Sequence, residues 1–296
     1  MKLELKNINK SFGDKKILKD ISFTVQSGKA MGFLGRNGAG KTTTMRIIMD
    51  VFKADSGEIL INDKQFNKNN FKIGYLPEEK GMYQKIPLIN QLAYFGELKG
   101  MTKEDAINRS EELIIKMGLK EYMNKPLSTL SKGNQQKFFI SQAIIDNPDI
   151  LILDEPFGGL DPVNAMSLKD IIKDYINKDK IVIFSSHQMN HVEEFCDDVT
   201  FIKNGEIILS ENLNKLKKEM GKNKFKIKLK EKKLDNIKDI SIEKKKDYLI
   251  IELLNNKTTN QLLSDLLKQN IIIEEFSSYK PNLEEIFIKL EGDKNE

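Results

Sequence analysis

The chain has 296 residues, 39% apolar and 31% charged, with 48 basic against 44 acidic side chains and a net charge of +4. That is room for two domains and a sizeable core; it excludes disordered and collagenous classes, and so small a positive excess does not mark an obligate nucleic-acid binder. One cysteine, Cys196, excludes a disulfide framework and a zinc cluster and suits a reducing compartment.

Residues 1–34 read as strands. LELKNI alternates, KILKDISFTV is a longer apolar-rich run, and KAMGFL is a short buried strand. The opening MKLELKNINKSFG lacks the apolar stretch of a signal peptide. A glycine-rich turn follows, then a helical pattern through MRIIMDVF. Short strands recur at GEILIN, KIGYLP, DILILD, KIVIFSS and DVTFIKNG. Between them PLINQLAYFGELKG and MTKEDAINRSEELIIKMG read as helices, the second with Thr102 as N-cap ahead of Glu104 and Asp105. Strands alternating with helices predict an α/β layer on a largely parallel sheet, and the opening strands predict an antiparallel flap. No stretch approaches the ~20 apolar residues that a membrane span needs. The strongest, AIIDNPDILILDEP, is broken by Asp146, Pro148 and Asp149, so a cytoplasmic protein is the expectation.

The character changes near residue 211. Residues 217–248 hold 13 lysines against six acids. Within them KFKIKLK puts Phe225, Ile227 and Leu229 on one face and lysines on the other, the pattern of an edge strand. DYLIIEL and IIIEEF predict two more strands, QLLSDLLKQN and PNLEEIFIKL two helices. The latter spaces Leu283, Ile286, Phe287 and Leu290 at i, i+3, i+4, i+7. A small α+β domain from about 220 to 292 is expected. Its lysine run is more simply a solvated face than a surface for anionic lipid or nucleic acid.

Two motifs carry chemistry. GRNGAGKTT comprises Gly35, Arg36, Asn37, Gly38, Ala39, Gly40, Lys41, Thr42 and Thr43, between an apolar strand and a helical pattern. Phosphate oxygens need converging N–H donors, and a backbone wraps them closely only where β-carbons are missing. The following helix adds its positive end, Lys41 reaches the phosphates, and the Thr42 hydroxyl suits Mg²⁺. ILILDEP, residues 150–156, ends a strand in Asp154, a second oxygen for Mg²⁺, and Glu155, placed to polarise an attacking water.

LSKGNQQK, residues 130–137, stands just ahead of that Asp-Glu strand and resembles the signature of ATP-binding-cassette proteins. GGLDP, residues 158–162, resembles the family's D-loop, and SSH, ending at His187, its switch histidine. IGYLPE, residues 73–78, stands where the Q-loop is expected, and SFG, residues 11–13, where an aromatic residue stacks on adenine. IGYLPEEKGMY and PNLEEIF more narrowly resemble the ATPase subunits of bacterial exporters of sodium, drugs or antimicrobial peptides.

The resemblance implies a P-loop NTPase fold of the ABC type over residues 1–212. Its parts are a mixed sheet core, an antiparallel β flap and a helical subdomain at about 79–146, with the α+β accessory domain behind. It implies ATP and Mg²⁺ as cofactors, with Lys41, Glu155 and His187 catalytic and Thr42 and Asp154 on the metal. The phosphate-loop residues, Phe12, Glu78, Ser131, Gly133 and Asp161 become ATP contacts. In the family the signature meets the γ-phosphate of the opposite subunit, and one phosphate loop with one signature cannot complete a site in one chain. A homodimer is therefore implied, docked on separate integral membrane permease subunits at the inner face of the membrane, with no nucleic acid. A soluble cassette ATPase acting on the ribosome or DNA is the alternative. Such proteins usually carry two cassettes or a coiled-coil insertion, and this chain has one uninterrupted cassette.

Individual positions carry further expectations. Ser131 serves as an N-cap as well as a phosphate contact. Glu78 stands where the family usually has Gln, which adds negative charge beside a triphosphate. Phe12 keeps the π face of the commoner Tyr. Tyr83, Ile86, Leu88, Leu92 and Phe95 are candidates for a permease-docking surface, with subdomain core the simpler assignment for most. His191 is expected to be an exposed helical residue and Cys196 a structural one. Asn134 and Phe157 depart from the family pattern without a reason visible in the sequence.

Overall fold

The computed structural model describes residues 1–292 except 79, 80, 82, 159, 161, 177, 178, 187, 231–236 and 270, and it leaves the side chains of 162–164 and 167 aside. It divides into two compact units, Met1–Asn212 and Leu213–Glu296.

In the first unit β1 (Lys2–Phe12) and β2 (Lys15–Gln26) form a hairpin, followed by β3 (Ala30–Leu34) and α1 (Lys41–Ile48). Then come β4 (Ser56–Ile61), β5 (Lys64–Gln65) and β6 (Ile73–Leu76). Helices α2 (Leu88–Leu98), α3 (Lys103–Lys116) and α4 (Lys132–Ala143) precede β7 (Ile150–Asp154) and α5 (Pro162–Ile176). The unit closes with β8 (Ile181–Ser186), α6 (Met189–Phe195), β9 (Asp198–Lys203) and β10 (Glu206–Asn212).

The first four-stranded sheet, in the order β2-β1-β4-β5, is antiparallel throughout. β1 and β2 form the flap expected of the opening strands, while β3, the third of that run, pairs into the parallel sheet and β4 takes its place in the flap. The second runs β10-β9-β3-β8-β7-β6. All its pairings are parallel except β10 with β9, so β3, β7 and β8 are flanked on both sides and read as unbroken apolar runs. Every residue of β3, β7 and β8 is buried. A shared core of Leu3, Leu5, Ile21, Phe23, Phe33, Met45, Ile150 and Ile183 joins the flap to the parallel sheet and α1. Helix α3 starts where expected, Thr102 accepting from the Asp105 amide at 3.1 Å. Leu88 and Leu92 on α2 and Leu113 and Ile114 on α3 are fully buried, so two of the five docking candidates belong to subdomain core.

The second unit holds α7 (Leu213–Met220), β11 (Lys224–Leu229), β12 (Ile240–Lys244), β13 (Leu249–Leu253), α8 (Thr259–Lys268), β14 (Ile273–Ser278) and α9 (Leu283–Gly292). Its antiparallel sheet runs β12-β13-β11-β14. KFKIKLK, expected at an edge, is therefore an interior strand. Its lysine face is compatible with that position because the neighbouring strands supply acids. Lys224 pairs with Glu252 at 3.6 Å, Lys226 with Glu275 at 3.0 Å and Lys228 with Glu274 at 3.1 Å. The opposite face carries Ile227, Leu229, Leu249 and Ile251, closed by Leu262 and Leu266 of α8. Thr258 and Gln261 form a reciprocal capping box that starts α8.

Candidate functional site

The strand-to-helix turn after β3 is shaped by its glycines. Gly40 has φ 114°, and a Cβ there would lie 2.6 Å from Leu18 Cδ2. A Cβ on Gly35 would lie 2.3 Å from the Ile202 carbonyl oxygen. These residues are glycine because the loop folds back onto β2 and β9 with no room for a side chain. The turn delivers Lys41 into the floor of a cleft of about 480 Å³. Phe12, Lys15, Ile17, Asn37, Gly38, Gly40, Lys41, Thr42, Thr43, Glu78, Asp154 and Glu155 line it.

Lys41 is buried, and its ammonium donates to the carbonyls of Gly35 at 2.8 Å and Arg36 at 3.3 Å. Burial pulls its pKa below the ordinary lysine value, while the charges of Glu155, Asp154 and Glu78 oppose that shift. Carbonyl dipoles satisfy the hydrogens but not the charge, so a polyanion entering the cleft meets a desolvated cation and the N-terminus of α1.

Facing it, β7 ends in Asp154, which is 2% exposed. The Ser185 hydroxyl donates to Asp154 Oδ1, and the Thr42 hydroxyl donates to Oδ2 at 3.4 Å. The donor atoms here are hard oxygens. Among the described residues no group of three or more His, Cys, Asp or Glu is placed to hold a metal ion by itself. A divalent ion at this place would complete its shell with water and phosphate, which suits Mg²⁺ rather than Zn²⁺. Glu155 follows with φ 49°, a left-handed conformation costing a non-glycine residue roughly 1–2 kcal/mol. Its amide donates to the Ser185 carbonyl at 3.1 Å and its Oε2 accepts from the Ser186 hydroxyl at 3.1 Å. Parallel pairing of β7 with β8 sets Asp154 opposite Ser185, which is why both serines reach the acids.

Phe12, at the end of β1, is 45% exposed on the cleft wall, with Phe52 in a T-shaped contact at 5.2 Å and the Lys10 ammonium 5.5 Å over its ring. Glu78 is exposed on the cleft wall. Ser131 caps α4, accepting from the Asn134 amide at 3.3 Å, and Gly133 is buried in the first turn. Neither lines the cleft. Arg36 is exposed and Ala39 buried in the loop itself. His187 and Asp161 lie outside the described residues.

Lys15 and Ile17 do not stand out in the sequence, and Ser185 and Ser186 do so only as the lead-in to His187. The two serines carry a signal of sorts, hydroxyls ending an apolar strand (IVIFSS), but only the register makes them partners of the acids. His191, expected to be exposed, is partly buried and meets Phe157 in a tilted contact at 4.9 Å, on the same side of α6 as buried Phe195. Burial and then the nearby Lys169 charge lower its pKa. Cys196 is buried against Gly32, and burial raises its thiol pKa, which leaves an inert packing group.

Residues 18–158 match the family described as "ABC transporter", and residues 212–290 match the "ATP-binding protein DrrA1-3-like, C-terminal domain". The chain is 34% identical to the uncharacterized ABC transporter ATP-binding protein YhaQ of Bacillus subtilis, over 98% of each chain. It is 29% identical to the linearmycin resistance ATP-binding protein LnrL of the same organism, again over 98% of each. Among solved structures, an ATP-binding subunit of an ABC transporter superposes with a TM-score of 0.66 at 26% identity. That alignment covers 75% of this chain and 94% of the other.

Proposed function

Given that this chain belongs to the ABC transporter ATP-binding proteins and is an ATP-hydrolysing subunit, we propose that two copies clamp two ATP molecules head-to-tail and drive export through separate membrane subunits. One observation carries the reading. Lys41, Thr42, Asp154 and Glu155 converge on one cleft, while Ser131 and Gly133 of the same chain stay off it. A signature that does not meet its own cleft is free to meet that of a second copy.

Within one cleft the roles follow from position. The loop amides and Lys41 bind the phosphates, and Phe12 offers its ring to the adenine. Glu155 accepts the proton of the attacking water, held in aim by Ser186. Thr42 and Asp154 would hold Mg²⁺, which when bound neutralises charge on the phosphoryl oxygens. From the opposite copy, the Ser131 hydroxyl and the N-terminus of α4 meet the γ-phosphate, so ATP joins the copies and hydrolysis releases them. His187 is proposed to sense the same phosphate, and Asp161 to lie at the shared boundary.

No helix among the described residues is long and apolar enough to cross a membrane, and on this reading the transport path lies in separate subunits. Tyr83 and Ile86, in the turn before α2, and Tyr94 and Leu98, one turn apart on it, are exposed apolar side chains. We assign them to the permease contact in place of Leu88 and Leu92. Export is supported by a relative named for linearmycin resistance, matched over 98% of its length, and by the motifs of residues 73–83 and 281–287.

The test is Glu155→Gln, which keeps shape and removes the base. ATP is expected to trap a dimer on size exclusion, and pull-down from detergent-solubilised membranes to recover a polytopic protein. Normal hydrolysis by the variant would move the base elsewhere, and salt-sensitive recovery with ribosomes would replace the export reading.

A further inference from the structure

Glu155 sits in a backbone conformation that an L-residue holds only when its surroundings over-determine it. Two buried side chains with no assigned role grip the residues that follow it. Gln136, on α4, is 3% exposed, and its side-chain amide donates to the Pro156 carbonyl at 2.6 Å. Phe157 is 2% exposed and packs against two rings of α6, Phe195 stacked at 4.9 Å and 20° and His191 tilted at 4.9 Å and 35°, with Phe184 edge-on. Helix α6 is in turn held to α5, where buried Lys169 pairs with Glu194 and stands 4.8 Å above the Phe195 ring. The turn itself closes through the Gly158 amide on the Glu155 carbonyl at 3.2 Å. The turn after Glu155 is thus held by a donor from one helix and by aromatic contacts with another. Gln136 shares α4 with Ser131, so the hydrogen bond also ties the acid to the helix that carries the signature.

We propose that Gln136 and Phe157 are positioning residues for Glu155, clamping its turn between α4 and α6. This rests on Glu155 being the base. Loss of either grip lets the carboxylate drift without touching the phosphate cradle, and a misplacement near 1 Å can cost roughly a hundredfold in rate. This accounts for phenylalanine at position 157, which the motif alone leaves unexplained.

The experiment uses the full chain with Gln136→Met, Gln136→Glu and Phe157→Leu, each alone and combined with Glu155→Gln, reading kcat and KM for ATP. Each single variant is expected to lower kcat about 10- to 100-fold with KM within about twofold, and to add nothing once Glu155 is gone. For Gln136→Glu the rate relative to wild type should recover as pH falls, because the protonated carboxyl again donates to Pro156. That variant carries the test alone if Phe157→Leu does not fold. An undiminished loss in the Glu155→Gln background, or a raised KM at unchanged kcat, would overturn the clamp. Wild-type hydrolysis by Glu155→Gln alone would instead remove the base assignment, and the clamp with it.

Discussion

The cleft around Lys41 and the sheet of the second unit use the same residue types, lysine and carboxylate, to opposite ends. In the cleft Lys41 is buried, its hydrogens go to two backbone carbonyls, and Asp154 and Glu155 take hydroxyl donors. In the second unit Lys224, Lys226 and Lys228 each meet a glutamate from a neighbouring strand at the surface. Charges kept apart at close quarters are available to a ligand; charges paired in water are already neutralised. Charge density along a sequence says little about function until the partner of each charge is known.

The comparison breaks most sharply at Lys41. Lys41→Ala should weaken ATP binding roughly a thousandfold, the scale for removing one member of a desolvated charge contact. Equilibrium binding of a fluorescent ATP analogue measures it, and retained affinity would place the phosphates elsewhere. Next is the core that holds the second sheet together. Leu262 is fully buried under Ile227 and Ile251, and Leu262→Ala should cost that unit about 2–4 kcal/mol. Thermal unfolding should shift while ATP affinity stays unchanged; a matching loss of affinity would make the second unit part of the site.

The motifs made the cleft legible because each is local. Residues 35–43 and 150–156 fold as contiguous turns at strand ends, so spacing predicts their geometry, and β3, β7 and β8 announce themselves by unbroken apolar runs. What escaped is non-local. Ser185 and Gln136 act only through residues 31 and 20 positions away, and no periodicity encodes that pairing. KFKIKLK misled for the same reason. Alternating lysines suggest a solvated edge, yet β13 and β14 bring Glu252, Glu274 and Glu275 alongside and make it interior. β12 carries no strand signal because ISIEK is short and polar, with only Ile240 partly covered.

A smaller effect follows from the lowered Lys41 pKa. In the free protein burial favours the neutral amine; the triphosphate favours the ammonium. The pKa therefore rises on binding, and ATP affinity should fall as pH climbs through the value in the free protein, with protons taken up in that window. Calorimetry in two buffers of different ionisation enthalpy reads the uptake directly. No buffer dependence on the alkaline side would mean that Lys41 is already fully charged without ligand.

The smallest expected effect tests the other side of the comparison. Lys228 and Glu274 stand 3.1 Å apart with both side chains substantially exposed. An exposed pair gains little over water and loses side-chain freedom, so Lys228→Ala should change stability by about 0.5 kcal/mol or less. ATPase activity and membrane recovery should match wild type. A larger loss of stability would mean that β11 depends on its charged face as well as on Ile227 beneath it. If stability held and membrane recovery fell instead, the lysine face would be binding an anionic surface, and the pairing seen here would be its resting state.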